Sequence, residues 1–282
     1  MKIWKYIFGI LGLLVLVLVG AIFTFPDNKL HLIACSVGEG DAILVVYGKT
    51  QILIDGGPNN KTLQCLSSHL PFWDREIELV VLTHPEADHF TGLVEVFRRY
   101  KVNNYLANSI ENSSQGYQLL KKEVGSSGAK LLFPKVGMKI RIGLIHLDVL
   151  WPLGMNEVQG VNEPAENLNN YSIVLNLSLG NFDALLTGDI SPASEEVILT
   201  NSEIKDVEYI KVPHHGSKNG LIEALLTAAK PELAVISVGK NQWGHPHQEI
   251  INMLEKANIK TLRTDLDGEI EIETDGKAWW IK

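Results

Sequence analysis

The sequence predicts an α/β domain whose sheets are covered by helices on their outer faces, preceded by one N-terminal transmembrane helix. Three observations lead there. The chain opens with an uncharged run from Tyr6 to Phe25. Beyond it come short β-type runs ended by Gly, Asp or His. Amphipathic helical stretches alternate with those runs in both halves of the chain.

The first element is the membrane helix. Residues 6–25 carry no charge, and at about 1.5 Å per residue they reach about 30 Å, the thickness of a bilayer's hydrocarbon. Lys2 and Lys5 precede the run and Asp27 follows it. The positive-inside rule then keeps the N-terminus in the cytoplasm and exports the rest, as a single-pass protein of the cytoplasmic membrane. A cleavable signal peptide is the alternative, but its apolar part is usually shorter and ends in an A-x-A-like site. This run ends AIFTFP. The stretch Leu32-Ile33-Ala34-Cys35 has the look of a lipoprotein cleavage box, yet it lies past the apolar run and begins a strand pattern. The expected organisation is an anchor at 1–28 and one domain at 29–282.

Past Pro26 the expected strands are Leu30 to Cys35, Ala42 to Tyr47, Gln51 to Ile54 and Ile77 to Thr83, the last apolar enough to be buried on both faces. Further strands are expected at Ile145 to Leu150, Ser172 to Ser178, Ala184 to Leu186, Tyr209 to Val212 and Leu233 to Ser237. The tail adds Thr261 to Thr264, Glu269 to Glu273 and Ala278 to Ile281, with a turn at Asp267-Gly268. Helical periodicity marks Thr91 to Arg99, Gln115 to Glu123, Pro192 to Leu199, Leu221 to Ala229 and Gln248 to Ala257. Met155 to Asn169 reads as a long surface loop.

Composition limits the functional classes. The net charge of -8 argues against broad attraction to nucleic acid or anionic membrane. It leaves open a polyanionic substrate, because bound metal ions reverse the local field. Two cysteines, Cys35 and Cys65, are too few for a disulfide-stapled scaffold and are expected as buried free thiols.

The chemistry concentrates where strands end. "THPEADH" places His84, Glu86, Asp88 and His89 in one loop between a buried strand and a helix, a rigid mounting for ligands. Imidazole and carboxylate together suit zinc, manganese or iron. Four such side chains crowd a single ion, so two adjacent ions are expected, with His84 and Glu86 on one and Asp88 and His89 on the other. "ALLTGDI" sets Asp189 after an apolar strand, where its carboxylate could bridge two ions. "IKVPHHGSKNG" ends a third strand with His214-His215, and "GHPHQE" adds His245 and His247 before a helix.

In this order the segments resemble the metallo-β-lactamase fold superfamily, with its His-x-His-x-Asp-His loop, later Asp and later His. More narrowly they resemble the hydrolase domain of ComEC-type competence proteins. The matching segments are "SVGEGDAILV" (Ser36 to Val45), "ILIDGG" (Ile52 to Gly57), "THPEADHFTGL" and "NNYSIVL" (Asn169 to Leu175). They continue with "LLTGD", "KVPHHGS", "ISVGKNQWGHP" (Ile236 to Pro246) and "RTDLDGEIEI" (Arg263 to Ile272). They cover essentially everything after the anchor.

The resemblance implies a four-layer αββα sandwich with a metal site at one edge. It implies one ion on Asp88, His89, Asp189 and one of His214 and His215, and a second on His84 and Glu86, with Asp189 bridging. His214 is taken as the ligand and His215 as an acid–base group. Asp41, Asp55, Asn170 and Ser172 are expected in support. Two departures stand out. Glu86 replaces the Asp usual in ComEC-like domains. No histidine fills the superfamily's middle position, since His146 lies inside an alternating strand; Asn169, Asn170 and Ser172 stand there instead. More oxygen donors make manganese as apt as zinc.

The implied reaction is metal-dependent phosphodiester hydrolysis, with single-stranded DNA as the leading substrate. One or two divalent ions would activate water and neutralise phosphate oxygens. Asp88, His215, Ser217 and His245 would steady charge or move protons, and Lys218 and Lys240 could touch phosphate. A separate DNA-uptake channel is the expected partner. The other readings are an exported hydrolase of a cell-envelope phosphodiester polymer and a membrane-tethered binding module with a degenerate site.

Overall fold

The computed structural model describes residues 2–23, 27–152, 167–202 and 204–282, with side chains of the first helix only over 4–15. That helix, α1, spans Lys2–Phe23. Among the described residues no helix is long and apolar enough to cross a membrane. Helix α1 takes in residues 6–23 of the anchor expected over 6–25, and a membrane crossing there is not supported, while most of the loop expected from Met155 to Asn169 lies outside the described residues.

Two sheets form the body. The first runs, in spatial order, β15 (Trp279–Ile281), β14 (Ile270–Thr274), β1 (Leu30–Ala34), β2 (Ile43–Tyr47), β3 (Thr50–Ile54), β4 (Glu76–Leu82), β5 (Lys101–Ala107) and β6 (Lys130–Leu132). The second runs β13 (Lys260–Arg263), β12 (Leu233–Ile236), β11 (Tyr209–Lys211), β10 (Phe182–Leu186), β9 (Val174–Leu179), β8 (Ile145–Trp151) and β7 (Lys139–Ile142).

Period-two alternation sorts each strand's residues between two cores. Leu32, Val45, Ile52 and Leu79 of the first sheet pack against Leu147, Leu175, Ala184 and Val235 of the second. The outer face of the first sheet, with Leu44, Leu53 and Val80, buries against α2 (Lys61–His69), α3 (Ala87–Arg99) and α4 (Gln115–Ser127). The outer face of the second, with Leu185, Ile210 and Ala234, buries against α5 (Pro192–Asn201), α6 (Glu223–Ala229) and α7 (Gln248–Lys256). This is the four-layer αββα sandwich. β4 is covered on both faces over Leu79–Leu82, as that apolar run requires.

Parallel pairing sets the functional edge. β3, β4 and β5 are parallel neighbours, and so are β10, β11 and β12. Their C-terminal ends thus open onto one rim, where ligands gather in α/β sheets.

The sequence patterns miss α2, β5, β6 and β7. β5 reads KVNNYLA, whose paired asparagines break a β signal. In the fold, Asn103 Nδ2 donates to Glu76 Oε1 at 2.8 Å, and Asn104 Nδ2 donates to the Glu78 carbonyl at 2.8 Å. Neighbouring-strand partners satisfy both amides, so tertiary context overrides propensity. α2 buries only Thr62, Cys65 and Leu66, too narrow a stripe to show as a period.

The cysteines correct an expectation. Cys35 and Cys65 form a disulfide with Cα atoms 5.9 Å apart, and no free thiol remains. It ties the end of β1 to α2. Closing a 30-residue separation should contribute roughly 3–4 kcal/mol in the chain-entropy model. Reductant is therefore expected to lower the melting temperature by several degrees in calorimetry. A Cys35→Ala/Cys65→Ala variant should start low and ignore reductant; a wild type that also ignores it would mean the bond contributes no stability.

Candidate metal centre

The loop after β4 begins the site. Glu86 is extended at the N-cap of α3, and its carbonyl accepts from the amides of His89 and Phe90 at 3.0 Å. Asp88 and His89 fall in the helix's first turn, where the dipole favours the Asp88 carboxylate. The helix sits tight against the turn after β3, where the Gly56 amide donates to the His89 carbonyl at 2.6 Å. A Cβ on Gly92 would stand 2.0 Å from the Gly56 carbonyl oxygen, so no other residue fits this approach.

Asp55, Thr83 and His89 form a buried chain. Asp55 Oδ1 accepts from the Thr83 amide and Oδ2 from the Thr83 hydroxyl. Asp55 Oδ2 also stands 2.8 Å from His89 Nδ1. An ionised carboxylate only accepts, so Nδ1 carries the proton and Nε2 turns to Asp189 Oδ2 at 3.2 Å. Thr83, its proton committed to Asp55, accepts at 3.1 Å from His84 Nδ1, which leaves His84 Nε2 with a lone pair and no partner.

The turn after β11 supplies the facing wall. Pro213–Gly216 is a single turn in which His214 and His215 hold φ of 49° and 52°. Asp55, at φ 60°, is likewise left-handed. Three non-glycine residues in this region at one rim mark stored strain of the kind found at functional sites. His215 Nδ1 donates to the Ser237 carbonyl at 2.8 Å. Its Nε2 therefore faces Asp189 Oδ2 at 3.1 Å and Asp88 Oδ2 at 3.4 Å, without a hydrogen bond to either.

Beneath these stands Lys211, fully buried at the end of β11. Its ammonium lies 2.5 Å from Asp41 Oδ2 and 3.1 Å from Asp189 Oδ1, and donates to the Gly188 carbonyl at 2.9 Å. Sequence reasoning assigned it no role. A lysine inside an otherwise apolar strand, YIKV, was the available signal, because buried lysines need partners.

Charge follows from this layout. Burial opposes ionisation of Asp189, but His215, Lys211 and His89 outweigh it and hold the carboxyl well below its usual range. Burial opposes the charge of His215, and Asp189 and Asp88 overcome it, lifting the imidazole to about 10. His89 is raised for the same reason. His84, lacking such a carboxylate contact, is held down by burial and by His89. Burial raises Glu86, with Asp88 and Asp189 adding to the effect.

One ligand atom from each of Asp88, His89, Asp189 and His215 lies within 4.8 Å of the other three. Two imidazole lone-pair positions aimed at carboxylate oxygens repel unless protons or a metal cation stand between them. The donor set fits a divalent metal of the zinc, manganese or iron type. His215, which the sequence reading put among the acid–base groups, stands in this cluster. His214, which it took as the ligand, stands outside, with Nε2 3.4 Å from Asn169 Nδ2. His84 Nε2 and the unpartnered Oδ1 atoms of Asn169 and Asn170 mark a second polar recess beside it. Ser172 Oγ links the two, accepting from the Asp189 amide at 3.0 Å and lying 3.2 Å from His84 Nδ1. Glu86 lies at the rim. Asp41 and Asp55 sit behind the cluster, as supporting residues would. Ser217 Oγ faces its own turn, 3.4 Å from the Asn219 amide.

Residues 35–240 match the metallo-beta-lactamase superfamily. The chain belongs to that superfamily. Its sequence relatives extend the resemblance to ComEC-type competence proteins. The ComE operon protein 3 of Bacillus subtilis is 28% identical over 198 residues, 70% of this chain and 24% of that protein. Recombination protein 2 of Haemophilus influenzae is 26% identical over 241 residues, 84% of this chain and 28% of that one. The chain thus spans about a quarter of these relatives' length. Among solved structures, the metallo-β-lactamase fold protein YhfI of Bacillus subtilis superposes with a TM-score of 0.60 at 10% identity, covering 88% of this chain and all of that one. As a superfamily member, the chain combines a metal-dependent hydrolase fold with a donor cluster suited to a divalent ion.

The outer wall comes from both halves of the chain. His245 Nδ1 pairs with Glu39 Oε1 at 2.9 Å, and Glu39 Oε2 accepts from the Gly239 amide at 3.0 Å. A Cβ on Gly239 would stand 2.4 Å from the Gly38 carbonyl carbon, so the two loops meet backbone to backbone.

Proposed function

We propose that this chain is a metal-dependent phosphodiesterase that cleaves single-stranded DNA outside the cytoplasmic membrane, in a process linked to DNA uptake. The observation that carries the reading is the Asp88–His89–Asp189–His215 cluster on a rim shared with exposed Lys218 and Lys240. The similarity to competence and recombination proteins supports DNA as the polymer. A divalent ion held by those four residues would supply water activation and neutralisation of phosphate charge.

The chain's own residues do the rest. Asp55 holds the His89 ring in its ligand tautomer, and the Ser237 carbonyl does the same for His215. Asp88 stays ionised, because His89 and His215 overcome its burial. His214 and His245, with ring centroids 5.6 Å apart, line the approach and can give a proton to the leaving oxygen. His84 and Glu86 would hold a second ion.

Placement follows the same reading. The domain at 29–282 stands outside the membrane, tethered through residues 6–25, with the short N-terminus inside and a separate uptake channel as neighbour. The Cys35–Cys65 bond supports an oxidising compartment, where disulfides persist.

The test is hydrolysis of single-stranded DNA and of bis-p-nitrophenyl phosphate by the manganese- or zinc-loaded protein, beside His89→Ala. Cleavage of both by wild type and of neither by the variant is expected. An intact DNA substrate under both metals would sink the nuclease reading, and release of phosphodiester fragments from wall polymer instead would move the activity to the cell envelope.

A further inference from the structure

The loop Gly239–Pro246 carries a feature the reaction itself does not call for. Asn241 Oδ1 accepts from the amides of Trp243, Gly244 and His245 at 3.1, 2.9 and 3.0 Å. Its Nδ2 donates to the carbonyls of Gly239 and His245, both at 2.9 Å. One half-buried amide thus ties the loop's backbone around itself. The loop has no freedom to hide its aromatic residue, and Trp243 remains 58% exposed.

The indole is placed with respect to the metal centre. It lies nearly parallel to the His245 ring, centroids 6.2 Å apart at 25°. The His245 ring is in turn 6.3 Å from that of His215, and the Glu39 carboxylate fixes it from behind. Trp243, His245 and His215 form a row leading from solvent to the donor cluster. Exposed Lys240 and Lys218 sit on the same two loops.

An indole carried on a pinned loop and open to solvent beside the donor cluster is a surface for a flat ring. Every nucleobase offers a π-face, and stacking on aromatic side chains is tolerant of sequence. A polyol-phosphate wall polymer has no ring of that kind to offer. We infer that Trp243 is a specificity-determining platform on which a base of single-stranded nucleic acid stacks, seating the adjacent phosphate at the cluster. The inference rests on the phosphodiesterase reading and names the substrate class as one that carries bases.

Binding separates the two ideas, because it does not depend on turnover. The full chain in detergent, with manganese, is titrated into fluorescein-labelled phosphorothioate oligothymidylate, and into a strand of equal length made of abasic sites. Anisotropy gives both affinities. Wild type should prefer the base-bearing strand by on the order of 5- to 100-fold. Trp243→Phe should keep most of that preference, and Trp243→Ala should bind both strands alike. A wild type indifferent to bases, or a Trp243→Ala variant that keeps the preference, overturns the platform whether or not DNA is cleaved. Failure of the hydrolysis assay overturns the nuclease reading and leaves this result standing on its own.

Discussion

Replacing Asp189 (Asp189→Asn) is expected to remove stoichiometric metal and to lower phosphodiester turnover by roughly a thousandfold or more. Asp189 Oδ2 is the atom on which His89 and His215 converge, at 3.2 and 3.1 Å, and Oδ1 rests on Lys211. The amide keeps the shape and loses the charge, so the change reads electrostatics rather than packing. Elemental analysis and titration with manganese check the first part, and initial rates the second. A variant that still binds one ion per chain at wild-type affinity would show that the cluster is not the metal centre.

The same cluster fixes the pH behaviour of the protein stripped by a chelator. His215 is raised from 6.5 to about 10, so its contribution to stability is full below 6.5 and is lost as pH climbs toward 10. Asp88 and Asp189 are lowered from 3.8, so theirs is present above 3.8 and is lost as pH falls through the folded values. Metal-free protein should therefore be most stable in mildly acid solution. Added metal competes with the imidazole protons and should stabilise most at alkaline pH.

Lys211→Met is expected to destabilise the metal-free protein by about 3–5 kcal/mol, because it leaves Asp41 and Asp189 buried without their cation. Adding Asp41→Asn should recover part of that loss, since the double variant again has fewer orphaned charges. Urea unfolding of the four proteins of this cycle measures the coupling. If Lys211→Met unfolds within 1 kcal/mol of wild type, by the linear-extrapolation standard, the lysine is a spectator.

Fold and site were legible to different depths. The αββα layers followed from strand-end motifs in family order, and β4, nearly all apolar from Ile77 onward, was readable as a strand buried on both faces. β5 was not legible, because its asparagines find partners only on the neighbouring strand. Among site residues, His89 and Asp189 stood out by residue type and place. The choice between His214 and His215 did not, since both lie in a turn whose left-handed backbone sends adjacent side chains to different walls. Lys211 was passed over because its partners, Asp41 and Asp189, lie 170 and 22 residues away in the chain, so no local pattern joins them. The disulfide was missed for the same reason, its partners 30 residues apart.

The Gly38–Gly239 contact has a bearing on how such a centre can change. Where two loops touch through bare backbone, no substitution at the contact is small. Even a methyl group at Gly239 would wedge the loops apart and pull Glu39 from His245. Retargeting the protein to another polymer, by selection or by design, therefore has an open route in the exposed side chains of Lys240, Gln242 and Trp243, whose frame Asn241 preserves. The joint keeps the chemistry constant while those side chains are free to vary.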